Sequence, residues 1–252
     1  MNIVIGTIVF LYGLVFGSFF NVVGYRIPMN LSILKPGSFC PNCKHELKWY
    51  ELIPLFSYII QGGKCRKCKK KISAYYPFIE TLTGILFVLS YILFGITPNF
   101  VVSCLISSFL VIIIVSDGRY MVIPDEVTLV FSILIIICNF IYLGVKEAIT
   151  LMISGALLVL VIYIFMLICN KVFKKETLGG GDVKLMFFIG NVIGFPNSLF
   201  SIFIASLIAL PVTIFLNKAK KQKEFPFGPF LLAGTLITYM LSINIIEILI
   251  RM

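Results

Sequence analysis

Eight apolar stretches, most of them long enough to cross a bilayer, leave this 252-residue chain few ways to fold. A membrane-crossing helix needs roughly 20 apolar residues, which places spans at about 3–25, 77–96, 100–116, 127–145, 149–170, 183–194, 197–216 and 228–249. In hydrocarbon every backbone amide and carbonyl must be paired within its own segment, which selects helices. The expectation is an all-α polytopic membrane protein with about eight transmembrane helices. The sixth stretch is short and carries Gly190 and Gly194, so it reads as a partial helix lining a cavity. The alternative joins 183–216 into one element bent around Pro196, giving seven spans. No basic region precedes the first stretch and no small-residue cleavage site follows it, so it reads as a retained span, with the mature chain starting at Met1. A water-soluble fold is excluded by composition: 60% of residues are hydrophobic, 13% are charged and the mean hydropathy is +1.06.

Lysine and arginine set the orientation. With the N-terminus outside, the odd connections hold ten basic residues from Arg26 to Lys71, then Arg119, then Lys171, Lys174, Lys175 and Lys184, then Lys218, Lys220, Lys221 and Lys223. Only Lys146 and Arg251 lie on the other side, so 19 of 21 share one face, which the positive-inside rule makes cytoplasmic. The seven-span alternative fails this count, because it puts the 218–223 lysines opposite the other basic loops. The net charge of +10 thus reports topology. The cations face membrane lipids of an anionic leaflet and are interleaved with cysteines, so nucleic acid is not an expected partner. The chain divides into a first transmembrane helix (1–25), a cytoplasmic cysteine-rich loop (26–76) and a transmembrane core (77–252).

That loop contains Cys40-Pro-Asn-Cys43 and Cys65-Arg-Lys-Cys68. Paired Cys-x2-Cys knuckles present four thiolates in the pattern of a tetrahedral zinc site, here with a slightly long gap. Disulfides are not expected in a reducing cytoplasm. A closed four-thiolate site leaves no position for substrate, so the zinc is structural, ordering a loop too small to hold much core. His45 reads as a surface histidine, Trp49 as a loop-core residue or an interfacial anchor. Cys104, Cys138 and Cys169 lie inside spans, where cysteine acts as a small hydrophobe.

Two aspartates carry the chemistry. Asp117 closes the run Val111–Ser116, and Asp182 follows Gly179-Gly180-Gly181. Ionisable groups at membrane depth are costly and mark function, and two of them suggest an acid–base pair at the cytoplasmic ends of the third and sixth spans. The glycines let backbone approach a substrate strand closely, although a helix break explains them too. Asp125, after Pro124, reads as the N-cap of the fourth helix. Glu80, one turn into the second span, reads as a hydrogen-bond acceptor for a neighbour or as a group orienting a substrate terminus.

Taken in order, Gly17-Ser-Phe-Phe-Asn21, Tyr25-Arg26-Ile-Pro28, the cysteine pair around Trp49-Tyr-Glu-Leu-Ile-Pro54, Tyr76-Pro77-Phe-Ile-Glu80, Asp117 with Ile123-Pro124-Asp125, and Gly179-Gly-Gly-Asp182-Val-Lys184 resemble the bacterial type IV prepilin peptidases. The resemblance implies a Gly-x-Gly-Asp membrane aspartic protease of the bacterial inner membrane that removes the basic leader of prepilins and pseudopilins at the cytoplasmic face. Its two catalytic aspartates map onto Asp117 and Asp182. The cysteine loop implies the bifunctional branch, which also methylates the new N-terminal residue with S-adenosylmethionine. No glycine-rich cofactor loop is visible, so that half rests on resemblance; Gly63-Lys64 matches a position near which methyl transfer is thought to depend. The competing reading is a proton- or cation-coupled transporter using Asp117, Asp182 and Glu80 as relay groups. Against it stand aspartates at one interface rather than at the midplane, and no inverted repeat.

Overall fold

The computed structural model describes residues 2–175, 177–220 and 225–242, which are helical with no named strand. The elements are α1 (Ile3–Arg26), a five-residue α2 (Phe56–Ile60), α3 (Tyr75–Phe94), α4 (Pro98–Tyr120), α5 (Asp125–Tyr142), α6 (Val145–Phe173), α7 (Gly180–Ile193), α8 (Phe195–Lys220) and α9 (Gly228–Met240). Among the described residues, six helices are long and apolar enough to cross a membrane: α1, α3, α4, α5, α6 and α8. The protein is multi-pass. The helices α7 and α9, of 14 and 13 residues, are shorter. The bent 183–216 element is not formed: α7 stops at Gly194, whose φ of +75° suits glycine, and α8 starts at the next residue. The end of the expected 228–249 span lies outside the described residues from 243 onward.

Two compact units are present, Met1–Gly95 and Ile96–Met252. In the first, α1 pairs with α3 through glycine. A Cβ on Gly13 would fall 2.6 Å from the Gly84 Cα, so the helices touch backbone to backbone. Lipid offers no hydrophobic drive for helix association, and close approach of small residues supplies the dispersion contact instead. The Glu80 carboxylate, buried on α3, accepts the Leu55 backbone N–H at 2.8 Å and holds that leucine at φ +60° as α2 begins. Of the two readings of Glu80, the hydrogen-bond acceptor is the one its contacts match.

In the second unit α4 is the core helix. Two thirds (67%) of its apolar window is buried against 11% for α6, which leaves most of α6 for lipid. Phe109 of α4 stacks on Phe131 of α5 (4.9 Å) and meets Phe188 of α7 edge-on (4.8 Å). Another glycine contact locks α6 to α7, since a Cβ on Gly190 would lie 2.5 Å from the Gly155 Cα. These contacts fix α7 against α4 and α5, and so fix where its first turn points.

Candidate active site and cysteine cluster

The third expected span runs past residue 116. The helix α4 continues to Tyr120 and ends with Met121 in the left-handed conformation, so Asp117 sits inside its last turn, buried. Asp182 occupies the first turn of α7 and is half-buried, its carboxylate beside Gly179, where a Cβ would lie 3.3 Å from Asp182 Oδ2. The two carboxylates, 65 positions apart in sequence, interact electrostatically.

A third backbone element closes the arrangement. Gly228, at the start of α9, lies against the Asp117 carboxylate. A Cβ on Gly228 would press on Ile123 Cδ1 at 2.9 Å and on Asp117 Oδ2 at 3.1 Å, so only glycine brings the helix start this close. Ile123, in the turn between α4 and α5, also lies against Gly181. Ile123 belongs to the Ile123-Pro124-Asp125 motif, but nothing in the sequence points to its packing role, and Gly228 is marked only by the Gly-Pro pair that opens the last helix.

Asp125 does not cap α5. Pro124 is the N-cap residue, Asp125 is the first helical residue, and no side chain closes the cap. Its carboxylate instead takes both oxygens to Lys184 Nζ at 2.7 Å, in an exposed pair joining α5 to α7.

In the loop, the four sulfurs of Cys40, Cys43, Cys65 and Cys68 lie within 4.8 Å of one another. Metal–sulfur bonds of about 2.3 Å in a tetrahedron place sulfurs about 3.8 Å apart. Cys40 and Cys68 are 3.8 Å apart, Cys43 and Cys65 3.9 Å. Both knuckles are the same turn. Cys40 N–H donates to His45 O and Lys44 N–H to Cys40 O; Cys65 N–H donates to Lys70 O and Lys69 N–H to Cys65 O, each at 2.9 Å. Lys44 and Lys69 take matching φ values of +57° and +59°. The thiols are unequal. The Lys70 amide and then the Asn42 side chain draw Cys68 down to about 6. The His45 amide donates to Cys43, yet burial and the neighbouring thiols push that group up to about 11. The donor set and spacing fit a zinc ion, which would bind the four sulfurs as thiolates.

His45 is not a loose surface group: its Nε2 lies 3.2 Å from Glu51 Oε2, which also accepts the Lys48 N–H at 3.0 Å. Trp49 is 78% exposed, which removes the loop-core reading. The Lys48 amide, followed by His45 and Arg66, holds the Glu51 carboxyl below its ordinary 4.5. A depressed folded-state pKa stabilises above the unfolded value and is lost as pH falls through the folded one. Glu51→Gln should therefore lose, below pH 4.5, less protection of the loop from hydrogen exchange than the wild type does. Equal losses would exclude Glu51 as a contributor.

The class is thus a helical, multi-pass membrane protein with paired aspartates at helix ends and a four-cysteine cluster in its loop. Residues 11–94 match the bacterial peptidase A24 N-terminal domain, and residues 104–214 match the type IV leader peptidase family. The chain is 32% identical over 249 residues to a prepilin leader peptidase/N-methyltransferase of Bacillus subtilis, covering 98% of each chain. Proteins of the same description from Klebsiella pneumoniae (34% identical; 75% of this chain, 85% of the relative) and Neisseria gonorrhoeae (32%; 87% and 84%) are also similar. No solved structure matches. The chain belongs to the type IV leader peptidase family.

Proposed function

We propose that Asp117 and Asp182 are the catalytic pair of a prepilin leader peptidase. The observation that carries this is that the two carboxylates, one from α4 and one from α7, are close enough to interact electrostatically, each with a glycine against it. Neighbouring carboxylates cannot both ionise cheaply, so the pair holds one proton. The charged member takes a proton from a water molecule whose oxygen attacks the scissile carbonyl carbon. The protonated member donates a hydrogen bond to the carbonyl oxygen as it gains charge. Breaking the C–N bond then requires a proton on the departing amine, which the first carboxyl returns. The glycines at 179–181 leave room for an extended substrate strand beside Asp182.

Cleavage and N-methylation are the activities of the family. The substrates are prepilins and pseudopilins, and the methyl donor is S-adenosylmethionine, which supplies an electrophilic methyl group for the newly freed amine. Cys40, Cys43, Cys65 and Cys68 hold a structural zinc ion. Functionally the chain is an anchoring helix (1–25), a metal-ordered loop (26–76) and a peptidase core (77–252). Eight membrane helices, with α7 and α9 as the short ones, put the basic connections and the aspartates at the cytoplasmic face of the bacterial inner membrane. Transport has no support: Glu80, the third relay candidate, is occupied by the Leu55 amide.

Cleavage of a purified prepilin by the purified protein in detergent micelles tests this reading, because transport has no meaning without a closed membrane. An intact leader after prolonged incubation with the folded protein would contradict it. A related result is expected for the loop. Substitutions there that preserve insertion should lower methylation more than cleavage, since the aspartates belong to other helices. If every such variant loses both activities equally, the loop serves the peptidase site itself.

A further inference from the structure

The two cysteine knuckles share one backbone turn but not one charge. From Lys64 to Lys71, six of eight residues are basic, whereas Phe39–Glu46 contains Lys44 as its only lysine or arginine. Metal binding needs the cysteines and the turn, not the cations. Lys70 Nζ is used by Asn42 Oδ1 at 2.8 Å. Lys64, Arg66 and Lys69, with Gln61 and Ile60, instead line a cavity of about 400 Å³ that has no carboxylate in its wall. Arg66 is steadied from behind, its guanidinium 5.0 Å from the Tyr50 ring and its Nε 4.0 Å from Glu51.

One side of this cavity is apolar and continues into α2. Ile60 lines it, and Phe56, Ile59 and Ile60 are all exposed, Ile60 by 75%. The Leu55–Glu80 hydrogen bond ties the start of α2 to α3 little more than one turn from its first residue. With α1 and α3 in the bilayer, the start of α2 stands near the level of the headgroups, and the cavity adjoins its far end at Ile60 and Gln61. Cations beside exposed aliphatic side chains at that depth match a molecule that is anionic at one end and hydrocarbon at the other.

We propose that Lys64, Arg66 and Lys69 bind the phosphate of an anionic phospholipid, with Phe56, Ile59 and Ile60 against its glycerol and upper acyl region. The site is part of the first unit alone. It rests on α1 and α3 spanning the membrane and not on the peptidase chemistry.

Trp49, the only tryptophan of the chain, is exposed and packs edge-on against Tyr50 at 5.7 Å, so its emission reports on this loop. Full-length protein in phosphatidylcholine bicelles is titrated with phosphatidylglycerol, and separately with more phosphatidylcholine and with inorganic phosphate. A saturable shift in Trp49 emission is expected with phosphatidylglycerol only. Each basic residue near an anionic surface contributes about a fivefold change in affinity, so Lys64→Gln, Arg66→Gln and Lys69→Gln combined should weaken it about a hundredfold. Metal content should stay unchanged, which shows that the loop is folded. Asp117→Asn should bind lipid like the wild type, keeping this site separate from the cleavage reaction. Equal responses to both lipids, or an unaltered affinity in the triple variant, would overturn the proposal. Saturation by inorganic phosphate at equal concentration would also overturn it, leaving a free-anion site.

Discussion

Asp117→Asn and Asp182→Asn are each expected to abolish leader removal, lowering the cleavage rate by at least about a thousandfold while insertion and expression persist. Asparagine keeps the size of aspartate and fits beside Gly228 or Gly179 as the aspartates do. It cannot take a proton from water or share one. The double variant should be little worse than either single one, because groups that act as a unit are not additive. Asp125→Asn is the control. It breaks an exposed ion pair with Lys184, and such pairs are worth about 0–1 kcal/mol, so most cleavage should remain. Single-turnover rates on a purified prepilin read all four proteins. An active Asp117→Asn beside an inert Asp125→Asn would move the partner of Asp182 to residue 125.

The second large effect concerns the metal. Changing Cys40, Cys43, Cys65 or Cys68 to serine should release the ion and render residues 26–76 protease-sensitive, while α1 and α3 stay inserted. The described loop contains two isolated β-bridges, two single 3-10 turns and the five-residue α2, too little structure to hold without a cross-link. In so small a segment metal-binding energy is folding energy. Metal analysis together with limited proteolysis checks this. Wild-type protein with no stoichiometric zinc and four freely reactive loop thiols would exclude the site.

Helix positions were readable because hydrocarbon leaves the backbone no alternative, so apolar length alone marks the elements. Helix ends were less so. The sequence shows a polar residue at 117 and suggests a stop; α4 carries on for another turn and ends where Met121 takes the left-handed conformation, with Gly228 against the Asp117 carboxylate. That neighbour could not be foreseen: it is a glycine backbone 111 positions away, and close backbone approach has no sequence signature. Asp125 shows the same limit in reverse. Its place after a proline suits a cap, but a lysine 59 residues on competes for the carboxylate and takes it. The cysteine cluster was legible because Cys-x2-Cys fixes its own local geometry. The Glu51–His45–Arg66 contacts behind it were not, since they depend on how the two knuckles face each other.

The central claim is that one pair of aspartates cuts the leader of a prepilin, and the most direct test is the intact mass of a prepilin co-expressed with the wild type, Asp117→Asn or Asp182→Asn. Wild-type cells should yield pilin lacking its leader and heavier by one methyl group, and both variants should yield the full-length precursor. Leader loss in either variant, with the protein inserted and no other leader peptidase in the cell, would contradict the account.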